Sequence, residues 1–240
     1  MDAYFRPIVL TDVAQPASAM PLAGGWGWFS HIEVLARGTP PMVLPAADAP
    51  KEVLETLTAA RPPIAGLTFD RPRIMGIVNV TPDSFSDGGQ HFAEDAALRG
   101  AQAMRTADIL DIGGESTRPG AQQVPEEEEV RRTAPVIAAL KQGGIAQPIS
   151  IDTRKAAVAA EALAAGASLV NDVSGFTFDA TLAPLCAAKG APVCVMHAQG
   201  DPETMQSDPR YDNVLLDVYD HLAARIAALE ALGIPKSRII

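Results

Sequence analysis

From Arg73 onward one cadence repeats five times: a short apolar run ends on a polar residue, and a stretch of helical periodicity follows. The apolar runs are Arg73–Val80, Ala107–Ile112, Pro148–Ile151, Ser168–Val170 and Ala191–Met196. Helices are expected at Phe92–Arg105, Glu126–Lys141, Lys155–Ala165, Ala180–Lys189 and Asn213–Leu232. Strands alternating with helices of about 10–15 residues predict βαβ units and a parallel sheet. Because the runs are nearly all apolar, the strands are expected to be buried on both faces.

The joints support this reading. Gly166, Gly190 and Gly233 each stand where a helix ends before the next strand, the position at which a left-handed residue closes a helix. Pro125 followed by four glutamates suits a helix start, with proline in the first turn and acids at the positive end of the dipole. Pro135 falls inside that helix and is expected to kink it.

Residues 1–72 follow a different pattern. Pro16, Pro21, Gly24, Gly25, Gly27, Pro40, Pro41 and Pro45 interrupt them, and one helical pattern lies near Lys51–Leu57. They are expected to form an irregular N-terminal extension with a few short strands, ending at Pro62, Pro63 and Pro72. The division is therefore 1–72 and 73–240. A length of 240 residues suits one α/β barrel or two small domains and does not choose between them.

A formal net charge of −10 with no Lys/Arg-rich run argues against nucleic acid as a partner. An anionic substrate would have to be held locally, by an arginine or a helix N-terminus. Cys186 and Cys194 lack neighbouring histidines and read as buried packing rather than a zinc site. The N-terminus shows no signal-peptide pattern, and no apolar run reaches membrane-spanning length. A cytoplasmic enzyme is expected.

Asn79, Asp111, Asp152, Asn171, Asp172 and His197 each follow an apolar run. They are therefore expected at the C-terminal rim of the strands, where barrels and open α/β sheets build their sites. The stretch Asn79-Val-Thr-Pro-Asp-Ser-Phe-Ser-Asp-Gly-Gly89 is rich in oxygen donors, as a hard cation or phosphate site requires, though a surface loop could share that composition.

That stretch resembles the first-loop signature of the dihydropteroate synthase family. The resemblance extends in order through Asp111-Ile-Gly-Gly-Glu-Ser-Thr-Arg-Pro-Gly120, Ile149-Ser-Ile-Asp-Thr153, Asn171-Asp172 and Met196-His-Ala-Gln-Gly200, followed by Met205-Gln206. It covers residues 73–240. It implies a (β/α)8 TIM-type barrel, and condensation of 6-hydroxymethyl-7,8-dihydropterin diphosphate with p-aminobenzoate in folate biosynthesis. Magnesium is the implied cofactor and a homodimer a possible assembly.

Residue by residue, the resemblance makes Asn79 the magnesium ligand and places Thr117 and Arg118 against the diphosphate, where a guanidinium fork stabilises a leaving anion. It makes Asp152 and Asn171 contacts of the pterin. A carboxylate can accept paired N–H groups from the ring, and an amide can both donate and accept. Phe85 covers the aminobenzoate ring or is a plain loop residue; Met196 lines the pterin pocket or belongs to the core. His197 reads as structural rather than as a general base, and His31, His91 and His221 have no partners visible in the sequence.

Two departures from the family stand out. Met104-Arg105-Thr106-Ala107-Asp108 reaches the second strand without a glycine, a shortening that could shift that strand's register. Arg238-Ile-Ile240 resembles the start of a sixth strand, and the family's later Asp-Pro-Gly, Ser-Arg-Lys and Arg/His segments are not among the 240 residues. The expectation is an incomplete barrel of about five βα units plus the start of a sixth strand, inactive or poorly folded alone. The alternatives are a pterin-binding methyltransferase domain, which gives no reason for the Asn79–Gly89 and Ser-Thr-Arg-Pro loops, and a non-catalytic pterin-binding fragment. No G-x-G-x-x-G or P-loop motif is present.

Overall fold

The computed structural model describes residues 3–80, 98–116, 123–200 and 208–240. The chain forms two compact units, Met1–Pro72 with Asn213–Leu216, and Arg73–Asp212 with Asp217–Ile240.

The first unit is more regular than its prolines and glycines suggest. Strands β1 (Tyr4–Pro7), β4 (His31–Ala36) and β5 (Thr39–Pro45) make an antiparallel sheet in the order β1-β4-β5. Strands β2 (Met20–Pro21) and β3 (Trp28–Phe29) form a two-stranded ribbon, and helix α1 covers Lys51–Thr58. Phe29, Ile32, Ala46 and Ala49 are its buried centre, with Phe5, Leu44, Leu54 and Leu57 packed against them. The prolines fit because Pro40, Pro41 and Pro45 lie on β5, an edge strand with a free side that needs no ladder donor.

In the second unit the alternating pattern becomes a parallel sheet of β6 (Met75–Asn79), β7 (Ile109–Gly113), β8 (Ile149–Asp152), β9 (Leu169–Asp172) and β10 (Val193–Val195). The strands lie in sequence order across the sheet, as successive right-handed βαβ units require. Ile239 and Ile240 pair in parallel beyond β10, with Val195 N donating to Ile240 O at 2.8 Å and Ile240 N to Val193 O at 2.9 Å. The described strands thus form an open α/β sheet with the neighbour order of a barrel wall.

Helices α2 (Glu126–Gln142), α3 (Ala156–Ala165) and α4 (Leu182–Lys189) follow β7, β8 and β9. Helical structure also runs over residues 98–103, and α5 covers Val214–Ala231. In α2 the buried residues Glu129, Thr133, Val136, Ile137 and Leu140 recur at helical spacing and define one inward stripe. Gly166 and Gly190 end α3 and α4 with φ of 114° and 63°, the left-handed closure expected of them.

The expected burial on both faces holds for β7, all five of whose residues are buried, and fails for β6, where Ile77 is 65% exposed; the two faces also differ in chemistry. Val78, Leu110, Ile112, Ile149, Ile151, Val170 and Val193 face the helices and form the core with Val136, Ile137, Val158, Ala162, Leu182 and Cys186. Strand alternation places Asn79, Asp111, Ser150, Asp152 and Asn171 on the opposite face. A four-residue strand such as Ile-Ser-Ile-Asp152 looks apolar as a run, yet it alternates strictly.

The glycine-free turn before β7 causes no slip. Asp108 anchors it by pairing with Arg73 at 3.1 Å and accepting the Ile74 N–H at 2.9 Å. Register then runs unbroken from Met75↔Ile109 to Asn79↔Gly113.

Candidate functional site

One row of paired residues crosses the sheet near the strands' C-terminal ends. Asn79 pairs with Gly113, Gly113 with Asp152, Asp152 with Asn171, and Asn171 with Cys194. Side chains of neighbouring parallel strands in register point to the same face, so this row is a single polar ledge. Gly113 leaves a gap in its middle: a Cβ there would lie 3.6 Å from Asp152 Oδ2 and 3.8 Å from Asn79 Oδ1. The missing side chain lets an amide and a carboxylate face one space from opposite sides.

One layer deeper, Asp111 pairs with Ser150 and receives a 3.1 Å hydrogen bond from the Asn171 amide. Asp111 was expected at the rim; it lies in mid-strand and is buried. Burial pushes its carboxyl up, against the opposing pull of Ser150 and Asn171. Its bond to Asn171 fixes that amide's nitrogen, leaving the amide oxygen for other partners.

Asp152 is the most perturbed carboxyl of the ledge. Burial, reinforced by the negative charges of Asp111, Asp172, Glu129 and Glu115, pushes it from 3.8 to about 7. Its Oδ1 is buried and has no hydrogen-bond partner within the described structure. A buried acceptor left open in this way has a free-energy incentive to meet a donor from outside.

Asp172 follows Asn171 but does a different job. Its Oδ1 accepts from Ser174 N and Oγ, both at 2.7 Å, and its Oδ2 accepts from Phe176 N at 2.9 Å. It shapes the turn leading out of β9, where Gly175 and Phe176 both have positive φ.

Met196 follows β10 and is 38% exposed, so it is no core residue. His197 sits against Tyr211 and, edge to face at 4.7 Å, against His221. This packing gives His221 a partner that sequence spacing did not reveal. Burial, then the charges of His197 and Arg225, hold the His221 imidazole below its ordinary value. Phe85, Thr117 and Arg118 lie outside the described residues, as do His91, Met205 and Gln206.

A feature absent from the sequence reading is a buried ionic network just past the C-terminal ends of β7 and β8. Glu115, Glu129, Arg154 and Lys155 are all at least 93% buried. Lys155 Nζ donates to Glu115 at 2.6 Å, to Glu129 at 2.5 Å and to the Val124 carbonyl at 2.7 Å. Arg154 pairs with Glu115, and its guanidinium lies 4.2 Å from the centre of the Phe178 ring. Burial alone would raise the Glu115 carboxyl, but Lys155, the Val124 N–H and Arg154 together hold it below the ordinary range. Sequence offered a faint cue, since Glu129 falls on the inward stripe of α2.

Asn79 presents an amide oxygen of the kind a hard cation takes. Among the described residues no group of three or more His, Cys, Asp or Glu converges as a self-sufficient metal cage. Cys194 belongs to the ledge, and burial, with the charges of Asp111 and Asp152, pushes its thiol up to about 11, away from the thiolate form that a nucleophile needs.

The chain is 45% identical to a dihydropteroate synthase of Escherichia coli over 168 residues, which is 69% of this chain and 59% of that protein. A Yersinia pestis dihydropteroate synthase with a sulfonamide drug complex superposes with a TM-score of 0.67 at 46% identity, covering 75% of this chain and 66% of that one. A Xanthomonas albilineans dihydropteroate synthase with 4-aminobenzoic acid gives 0.66 at 49% identity, covering 75% and 64%. The chain spans between 20% and 60% of the length of the curated relatives it matches. The sequence profile described as pterin binding enzyme matches residues 75–240, the whole of the sheet and its helices, and on that match the chain belongs to the pterin binding enzyme family.

Proposed function

We propose that the chain acts in dihydropteroate synthesis, joining 6-hydroxymethyl-7,8-dihydropterin diphosphate to p-aminobenzoate with release of diphosphate. The observation that carries this reading is the pairing of Asp152 with Asn171 on one ledge, with a buried, unpartnered Asp152 oxygen. The relatives support the substrates: one solved dihydropteroate synthase holds 4-aminobenzoic acid and another, from Burkholderia cenocepacia, 7,8-dihydropteroate.

In this reading the ionised Asp152 accepts N–H groups from the amidine-like edge of the pterin, and Asn171 contributes its amide oxygen. Met196 lines the ring's edge and Phe85 covers the aminobenzoate. The aniline nitrogen attacks the pterin methylene carbon while the carbon–oxygen bond to diphosphate breaks. The bonding pair leaves with the diphosphate and the nitrogen loses a proton. Thr117 and Arg118 hold the diphosphate and stabilise the charge it gains.

Asn79, with its oxygen beside the open space of Gly113, suits a magnesium ion that takes most of its oxygens from diphosphate and water. When bound, that ion would neutralise charge on the leaving group. The protein would work in the cytoplasm. Among the described residues no helix is long and apolar enough to cross a membrane.

The test is calorimetry with the dihydropterin diphosphate, followed by chromatographic detection of dihydropteroate after adding aminobenzoate and Mg2+. Product formation supports the synthase reading. Pterin binding with no product would reduce the reading to a pterin-binding module, and no binding would overturn it.

A further inference from the structure

Within the N-terminal unit, the turn between β2 and β3, the end of α1 and the segment around Phe69 enclose a cleft of about 520 Å³. A volume of that order suits one small molecule. Leu22 and Leu57, which also pack on the unit's buried centre, give it apolar wall. Trp26 and Phe69 add aromatic rings, and Arg61 and Arg71 line it as well. No Asp or Glu among the described residues lines it, in a chain with 29 acidic residues against 19 Lys and Arg. The cleft is a cationic spot on an acidic protein.

Backbone contacts hold its walls. Ala23 N donates to Leu57 O at 2.7 Å and Arg61 N to Ala23 O at 3.3 Å, which ties the turn to the end of α1. Gly24, with φ of 67°, comes so close to this end that a Cβ would lie 2.7 Å from the Ala60 Cβ. Ala23 keeps a φ of 52°, a left-handed state that a residue with a side chain adopts at a cost. Such strain persists where the surroundings enforce it, and it gathers at ligand sites. The unit's own core leaves the aromatic wall uncovered. Trp28 is 5% exposed with its indole N–H on Asp12 O at 2.9 Å, whereas Trp26 is 55% exposed. A large apolar ring left in water gains free energy when something covers it.

We propose that this cleft binds a small planar aromatic anion, with its ring against Trp26 and Phe69 and its carboxylate or phosphate on Arg61 and Arg71. Guanidinium forks pair with either acid group, and aromatic faces select a flat partner. The site lies outside residues 75–240, which the family profile matches, so it goes beyond the synthase reading and does not depend on it.

The chain has two tryptophans, so a 15N-labelled sample of all 240 residues shows two indole N–H signals, which Trp26→Phe assigns. It is titrated separately with 2-naphthoate, 1-naphthyl phosphate and the uncharged 2-naphthamide. At least one anion should shift the Trp26 signal saturably, while the Trp28 signal, held on Asp12 O, stays in place and reports an intact unit. The amide should bind at least about tenfold more weakly than that anion, the least that a hydrogen bond to a charged group contributes. Arg61→Gln/Arg71→Gln should bring the anion's affinity down to about the amide's. Both arginines are exposed, so the urea midpoint should not move. The tighter of the two anions identifies the acid group. A Trp26 signal that neither anion shifts, an amide that binds as tightly as both anions, or anion affinity unmoved in the double variant overturns the proposal.

Discussion

Replacing Asp152 with asparagine should change ligand affinity and stability in opposite directions. Burial and four neighbouring carboxylates move this group from 3.8 to about 7. In the unfolded chain it ionises near its ordinary value, whereas in the folded chain it keeps its proton until about 7. Between those two values the native state binds more protons than the unfolded state, so this residue's contribution to stability falls as pH rises. At about 1.4 kcal/mol per pH unit, the loss reaches at most about 4 kcal/mol by pH 8. An asparagine side chain carries no charge and escapes this loss. Asp152→Asn should therefore be more stable than wild type at pH 8, with the advantage vanishing near pH 4.

Pterin affinity should respond the other way. Below about 7 the protonated carboxyl cannot accept a pair of N–H groups, so wild-type affinity should fall about tenfold from pH 8 to pH 6. Asp152→Asn should bind about 10- to 100-fold more weakly at pH 8, the worth of a hydrogen bond to a charged group, and show no such pH dependence. Urea melts at pH 5 and pH 8, with pterin titrations at pH 6 and pH 8, measure both effects. A variant less stable than wild type at pH 8, or a flat wild-type binding profile, would refute the reasoning.

Other substitutions probe the frame. Lys155→Met alone should destabilise by about 3–5 kcal/mol because it leaves the buried Glu129 without its cation, seen as a lower urea midpoint; the double variant with Glu129→Gln should recover part of that. Ile151→Ala should cost about 2–5 kcal/mol in the same melts, since Ile151 is fully buried between sheet and helices. Gly175→Ala should destabilise by at least about 1 kcal/mol, because a Cβ there meets the Met196 carbonyl at 2.8 Å and φ is 64°; an unchanged melt would contradict this.

The fold was legible where a local signal was strong. Helix α2 begins and ends within a residue of its expected bounds because Pro125, four glutamates and a regular apolar stripe all mark it. The strands were placed to within about two residues, but the exposure of one face of β6 was missed. In a run as short as Ile-Ser-Ile-Asp152, alternation of apolar and polar residues is hard to tell from an apolar run ending in a loop. The N-terminal unit was underestimated because Pro and Gly mark turns clearly, while the pairing of β1 with β4 links residues about thirty apart and leaves no local trace.

For the site, Asp152, Asn171 and Asn79 were legible as polar residues ending apolar runs, and the structure sets them in one row across three strands and a glycine gap. The Glu115–Lys155–Glu129 network was not. A lysine opening a helix ordinarily reads as solvated, and burial of its ammonium depends on carboxylates 26 and 40 residues away meeting it in space. The His197–His221 contact was hidden for the same reason.

The central claim is that the polar ledge holds a pterin. A crystal structure of the protein with 6-hydroxymethyl-7,8-dihydropterin tests it most directly. The ring's N–H edge should lie about 2.7–3.2 Å from the Asp152 carboxylate, with the Asn171 amide oxygen beside it. A ring bound elsewhere, with Asp152 and Asn171 untouched, would contradict the account.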